Sequence, residues 1–232
     1  MQAFRCYYTP LAVHIYKGSQ DLGYYYFLEE PYCKKCGSSG VETEDCILQN
    51  KVYGFNRVYP LGCYIRLDHG KDLLSKHIVW LKMGFREHAI PLGKALSLYV
   101  ENKFPELLNA DYVVPVPAHK DKKSEKKDYN QSELLANEYC KNTNQTKLSC
   151  LEQLKPTKFA DSNYGIDERY EHVKDMFEML PFYSDIISGK YILLIDDVVT
   201  SCAQSSECSN ILMINGAKKV DVITLGRNKL ND

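Results

Sequence analysis

Two adjacent carboxylates, Asp196 and Asp197, follow an apolar run at 191–195, and Val198 and Val199 then lead into Thr200, Ser201, Cys202, Ala203, Gln204 and Ser205. Carboxylates accept hydrogen bonds from the vicinal hydroxyls of a ribose, and small hydroxyl-bearing residues donate to phosphate oxygens. An open parallel sheet collects ligands beyond the carboxyl ends of its strands, and a helix N-terminus offers unpaired amides and the positive end of its dipole. The stretch YILLIDDVVTSCAQS therefore reads as a strand, a sugar-binding acidic pair and a phosphate-wrapping loop, in that order. An acidic pair also ends a strand at the magnesium site of receiver domains, but there it is expected near the N-terminus, and this one lies near the C-terminus.

Cys33 and Cys36 stand two residues apart in a turn bounded by Pro31 and Gly37, and Cys46 follows after nine more. Three thiolates suit zinc, and a structural zinc takes four ligands. Cys63, Cys6, His14 or His69 could complete the set from a distance, and Cys63 is the nearest cysteine downstream. Reduced thiols without metal are the competing reading. A zinc ion here would hold an N-terminal segment too small to build its own core.

The tract at 118–128 carries His119, Lys120, Lys122, Lys123, Lys126 and Lys127, interrupted by Asp121, Glu125 and Asp128. By charge pattern it is a solvated loop or an anion clamp.

The elements that must position these groups follow from periodicity. Residues 1–70 are rich in Tyr, Gly and Cys with short strand-like runs at 23–28 and 57–59, so they read as a small irregular module. From residue 71 the texture becomes α/β. Leu73, Leu74, His77, Ile78 and Leu81 form a helical stripe ending near Gly84, and a second helix covers about 90–102. Residues 112–116 read as a strand stopped by prolines, 131–139 and 205–215 as helices, and 220–225 as a closing strand, with Gly216 placed for a left-handed helix cap. The strand, loop, helix and strand at the C-terminal end have the size of a βαβ crossover.

With 232 residues, 44% hydrophobic and 25% charged, the chain can bury one main core and spare a small module. A formal net charge of −1 supplies no global field for nucleic acid or anionic lipid, so strong nucleic-acid binding is not expected. The apolar start of the chain is broken by Thr9, Pro10 and His14, which fits neither signal peptide nor membrane span. Nine cysteines without a secretory segment point to a reducing compartment, so a cytoplasmic location without membrane contact is expected.

The 191–205 stretch resembles the phosphoribosyl pyrophosphate (PRPP) signature of type I phosphoribosyltransferases, and further segments resemble the ComF family within that group. VVPVPAHKDKKSEKKDYNQSELLA is similar to that family's strand, basic loop and helix start. DERYEHVKDMF, through Arg169 and Phe177, resembles its Arg-containing segment, and IVWLKMG, through Lys82 and Gly84, its Lys-bearing helix end. The resemblance implies a type I phosphoribosyltransferase fold at 71–232 behind the N-terminal module. It implies catalytic roles for Asp196 and Asp197, PRPP binding at 200–205, and a pyrophosphate loop using His119, Lys120, Lys126 and Lys127. Magnesium would be carried by PRPP, phosphoribosyl transfer to an unidentified acceptor would release pyrophosphate, and structural zinc would use Cys33, Cys36, Cys46 and Cys63. The alternative is a silent PRPP-binding sensor or an accessory to DNA uptake; self-association is open.

Several residues depart from the family pattern. Cys202 stands at a glycine of the phosphate loop, Gln204 at a threonine, Asp128 at a glycine, His172 at an asparagine and Gln49 at a fourth cysteine. Cys202 reads first as a side chain that the glycine position tolerates and second, at a helix N-terminus, as a candidate for a lowered thiol pKa.

Overall fold

The computed structural model describes residues 3–28, 31–38, 46, 53–65, 72–119, 129–156 and 164–228. The chain opens with an antiparallel meander of β1 (Phe4–Thr9), β2 (Ala12–Lys17) and β3 (Gln20–Tyr26). The turn between the second and third strands carries Gly18 at φ 62°, the left-handed geometry that a tight hairpin needs. Alternation along the strands buries Val13, Ile15 and Tyr25 and turns His14 and Tyr24 outward, where their rings stack.

After β4 (Val58–Tyr64) come α1 (Leu73–Met83), α2 (Ala89–Lys103), β5 (Tyr112–Pro115) and α3 (Gln131–Thr143). The short β6 (Leu151–Gln153) pairs with β7 (Phe177–Met179) around α4 (Ile166–Val173). Then α5 (Ser184–Ile187) leads to β8 (Tyr191–Val199), α6 (Ala203–Ile214) and β9 (Lys219–Asn228). The central sheet is parallel and four-stranded, ordered β4-β9-β8-β5. The fold is α/β, a parallel sheet flanked by helices.

Both faces of this sheet are covered, which is why β8 opens on the unbroken apolar run at 191–195 and β9 buries Val220, Val222, Ile223 and Leu225. Leu193, Ile195, Ile223 and Leu225 join one core with residues of α1, α2, α3 and the meander. Ile192, Leu194, Val220 and Val222 join the other with Cys208 and Leu212 of α6 and Val173 of α4. Each such side chain contributes about 1.5–3 kcal/mol relative to exposure.

Side chains cap the starts of two helices. Asp72 caps α1 by accepting from the Ser75 amide, and Gly84 ends it at φ 114°. Asn130 caps α3 through the Ser132 amide. The meander was not fully expected: its inward residues alternate with tyrosines and histidine, a pattern too polar to read as core. Cys6, Val13, Ile15 and Tyr25 share one core with Leu92 and Leu96 of α2, so the N-terminal segment does pack a hydrophobic interior. β4 also lies before residue 70, yet it pairs along β9, so the central sheet crosses the division expected there. Gly62 lets the end of the meander approach β4 closely, since a Cβ on it would fall 2.6 Å from the Tyr26 carbonyl oxygen. Among the described residues no helix is long and apolar enough to cross a membrane.

Candidate functional site

The expected strand at 191–195 runs four residues further. Pairing to β5 stops at Ile195, where the prolines of the neighbouring strand intervene, while pairing to β9 continues through Val199 opposite Arg227. Asp196 and Asp197 therefore sit where one neighbour has left β8 and the other remains. Strand alternation sends them to different helices. Asp196 accepts from Ser205 Oγ of α6 at 3.3 Å and from Ser132 Oγ of α3 at 3.3 Å. Asp197 meets Lys82 Nζ of α1 at 3.2 Å.

The electrostatics of the pair are unequal. Asp196 is 7% exposed, and burial, followed by the charge of Asp197, pushes its pKa up to about 7 despite nearby Lys82. Burial works to lower the Lys82 pKa, but Asp197 and Tyr64 outweigh it and hold the ammonium above its ordinary value. The backbone adds two bonds, from the Asp197 amide to Asp196 Oδ1 at 2.9 Å and from the Val198 amide to Asp197 Oδ1 at 2.6 Å.

Thr200, Ser201, Cys202, Ala203, Gln204 and Ser205 line a cavity of about 60 Å³ together with Asp196, Val198, Val199 and Arg169. The first amides of α6 lack intrahelical acceptors and open onto this loop. Its carbonyls are held from outside: Arg227 Nη1 donates to Val199 O at 3.2 Å and to Thr200 O, and Tyr170 Oη donates to Ser201 O at 3.1 Å. Arg227 is 2% exposed. A hydroxyl-rich loop with its carbonyls tied back, a helix N-terminus and the Arg169 cation are the kinds of group that donate to an oxyanion.

Cys202 occupies its place in the loop at φ 61°, so the left-handed backbone that favours glycine is retained by a side chain. Its thiol is buried and donates to Cys36 O at 3.6 Å. Burial outweighs the nearby Arg227 and pushes its pKa up to about 12, against the second, lower-ranked reading of this position as an activated thiol.

The sulfurs of Cys33, Cys36 and Cys46 lie within 4.8 Å of one another, and all three residues are buried. Cys36 Sγ is 3.2 Å from Cys46 Sγ and 3.1 Å from Ser38 Oγ. The Cys33 thiol, Ser38 and Arg227 together hold Cys36 below its ordinary pKa, against burial, while Cys33 is raised by the same bond. Cys63 is not part of this group; it lies on β4 in register with Arg227. The cluster is also no appendage, because its cysteines belong to the same core as Val199, Cys202 and Ala203.

His119 lies just beyond β5, with a buried Nδ1 that has no partner among the described residues. Lys120, Lys126 and Lys127 fall outside the described residues. Ser132, Arg169 and Arg227 are the site residues that motif reading passed over as ligands or supports. Arg169 was visible in the family segment, whereas Ser132 and Arg227 meet the site only through tertiary contacts.

No protein-family profile matches the chain, and no curated protein matches it. Among solved structures it is similar to an allosteric regulatory enzyme of purine biosynthesis, at 16% identity and TM-score 0.38, covering 93% of this chain and 35% of that one. It is also similar to the glutamine PRPP amidotransferase from B. subtilis complexed with ADP and GMP, at 15% identity and TM-score 0.39, covering 92% of this chain and 36% of that one. The chain thus spans about a third of the length of either protein. Superpositions this loose leave the functional argument with the site itself.

Proposed function

We propose that the chain binds PRPP in this site and acts as a ComF-like type I phosphoribosyltransferase, passing the phosphoribosyl group to an acceptor with release of pyrophosphate. The observation that carries this reading is the adjacency of an acidic pair and an oxyanion cavity at the open end of one parallel strand. The 5′-phosphate is taken by residues 200–205 and Arg169, and the ribose hydroxyls donate to Asp196 and Asp197. Lys82 fixes Asp197 and adds positive charge near the reacting sugar. Such a protein accelerates transfer by placement and charge stabilisation, without a covalent intermediate of its own. Magnesium, which prefers phosphate oxygens and water, would enter with PRPP near the two carboxylates and offset the charge of the departing pyrophosphate. His119, Lys120, Lys126 and Lys127 are assigned to that leaving group.

The left-handed Cys202 supports turnover despite the missing glycine, because the loop backbone keeps the conformation that glycine would give it. Calorimetric titration with PRPP and magnesium tests the site, and Asp197→Asn should remove most of the binding. Pyrophosphate release with an acceptor panel tests the reaction. Binding without release across a broad panel would identify a PRPP sensor; absence of binding would overturn the reading.

The buried thiols fit zinc by donor chemistry, three soft ligands gathered at one point. Cys33, Cys36 and Cys46 would hold the ion, whose contribution is structural. Metal analysis should find about one zinc per chain, lost in Cys33→Ser.

A further inference from the structure

We infer that the cysteine triad positions the phosphate loop, so that zinc at Cys33, Cys36 and Cys46 and PRPP at residues 200–205 bind cooperatively through Arg227, Ser38 and Cys202. This rests on the PRPP and zinc readings above and goes beyond both, since a zinc ion that merely staples the fold would leave ligand affinity alone.

Two short paths connect the sites. In the first, Arg227 Nη1 holds the carbonyls of Val199 and Thr200, and Arg227 Nη2 donates to Ser38 Oγ at 2.8 Å. Ser38 Oγ is in turn 3.1 Å from Cys36 Sγ. In the second, Cys202 of the loop donates its thiol to Cys36 O at 3.6 Å. Arg227 at 2% and Cys202 at 3% exposure are buried and Ser38 is half-buried, so the ends of both paths at the loop are shielded from solvent.

Charge gives the coupling its sign. Arg227 is a buried cation, and the Val199 and Thr200 carbonyls and the Ser38 hydroxyl to which it donates are neutral oxygens. Its Nε has no hydrogen-bond partner. Three thiolates around a divalent ion carry a formal charge of −1, opposite to Arg227 and close enough to fix it. Fixing Arg227 fixes the two loop carbonyls that it grips, which preorganises the cavity for its anion. A loop left without that restraint must be ordered by PRPP, and its affinity falls accordingly.

The experiment is a thermodynamic cycle on the full chain. PRPP with magnesium is titrated into zinc-loaded protein and into protein stripped of zinc and freed of chelator. Zinc affinity is then measured by indicator competition with and without PRPP. Stripped protein should bind PRPP about tenfold more weakly, and PRPP should tighten zinc by the same factor, because coupling between sites is reciprocal. Ser38→Ala cuts the link between Arg227 and the triad without touching the loop; it should still take up zinc but move the factor toward one. Should the stripped chain unfold, the zinc-loaded Ser38→Ala chain supplies the measurement, with PRPP affinity expected to fall about threefold. Equal PRPP affinity in both zinc states, or unchanged affinity in Ser38→Ala where stripping unfolds the chain, overturns the coupling alone. Failure of zinc-loaded wild type to bind PRPP overturns the site reading with it, and failure to take up zinc overturns the zinc reading.

Discussion

Two buried carboxylates lie on adjacent strands of the same sheet, at opposite ends and in opposite circumstances. Asp221, near the start of β9, has a side chain with no exposed surface and meets Lys219 Nζ at 2.7 Å. It also accepts from Tyr191 Oη at 2.8 Å, Asn56 Nδ2 at 3.1 Å and the Arg57 amide at 3.1 Å. Asp196, toward the end of β8, has two hydroxyls at 3.3 Å, one amide at 2.9 Å and a second carboxylate beside it. A buried charge surrounded by donors holds the fold, whereas one short of donors and facing a cavity is poised to receive them from a ligand.

That contrast breaks most visibly in Asp221→Ala. Removing the buried shared acceptor leaves its four partly exposed donors without their partner, so chemical denaturation should show a loss of about 3 kcal/mol. The folded fraction should bind PRPP as before; a loss below about 1 kcal/mol would mean that the satisfied carboxylate is not structural. Asp196→Asn should do the reverse. Its PRPP affinity should fall on the order of ten- to a hundredfold, as expected for losing a charge-assisted bond, while its stability at pH 8 stays at or above wild type.

The pH dependence sharpens the comparison. Asp196 titrates near its ordinary value in the unfolded chain and at about 7 in the folded one, so between about pH 4 and 7 the native state holds more protons. Stability due to this group is full below about pH 4 and is lost as pH rises toward 7, by about 1 kcal/mol per unit. Denaturation across that range should show the slope in wild type and a flatter line in Asp196→Asn. The smallest effect belongs to Ser132→Ala. Losing one 3.3 Å donor should raise the Asp196 pKa further and change stability at pH 7 by less than about 1 kcal/mol, readable by pH titration of the carboxyl signal.

The strand, acidic pair and phosphate loop were legible because their chemistry is contiguous and the apolar run before them is unbroken. The far end of β8 was not, because it depends on β9 continuing after β5 has turned away, which no local pattern records. Ser132 reaches Asp196 from 64 residues away, and Arg227 reaches Thr200 from 27 residues away. Cys63 illustrates the same limit: proximity in sequence chose it, but β4 carries it into register with β9, and it does not join the triad. The secondary reading of Cys202 as an activated thiol fails for a related reason, since burial depends on what packs behind the loop.

The self-bonding of the acidic pair has a further effect. Beyond Ile195 the strand has lost one neighbour, and an unpaired strand border is where a foreign chain can add itself. Here the amides of Asp197 and Val198 are occupied by the carboxylates of the preceding residues, and an intruding strand would meet negative charge in place of donors. The border is closed to polypeptide, and under the proposed reading it is left to a small anionic sugar accompanied by its own cation.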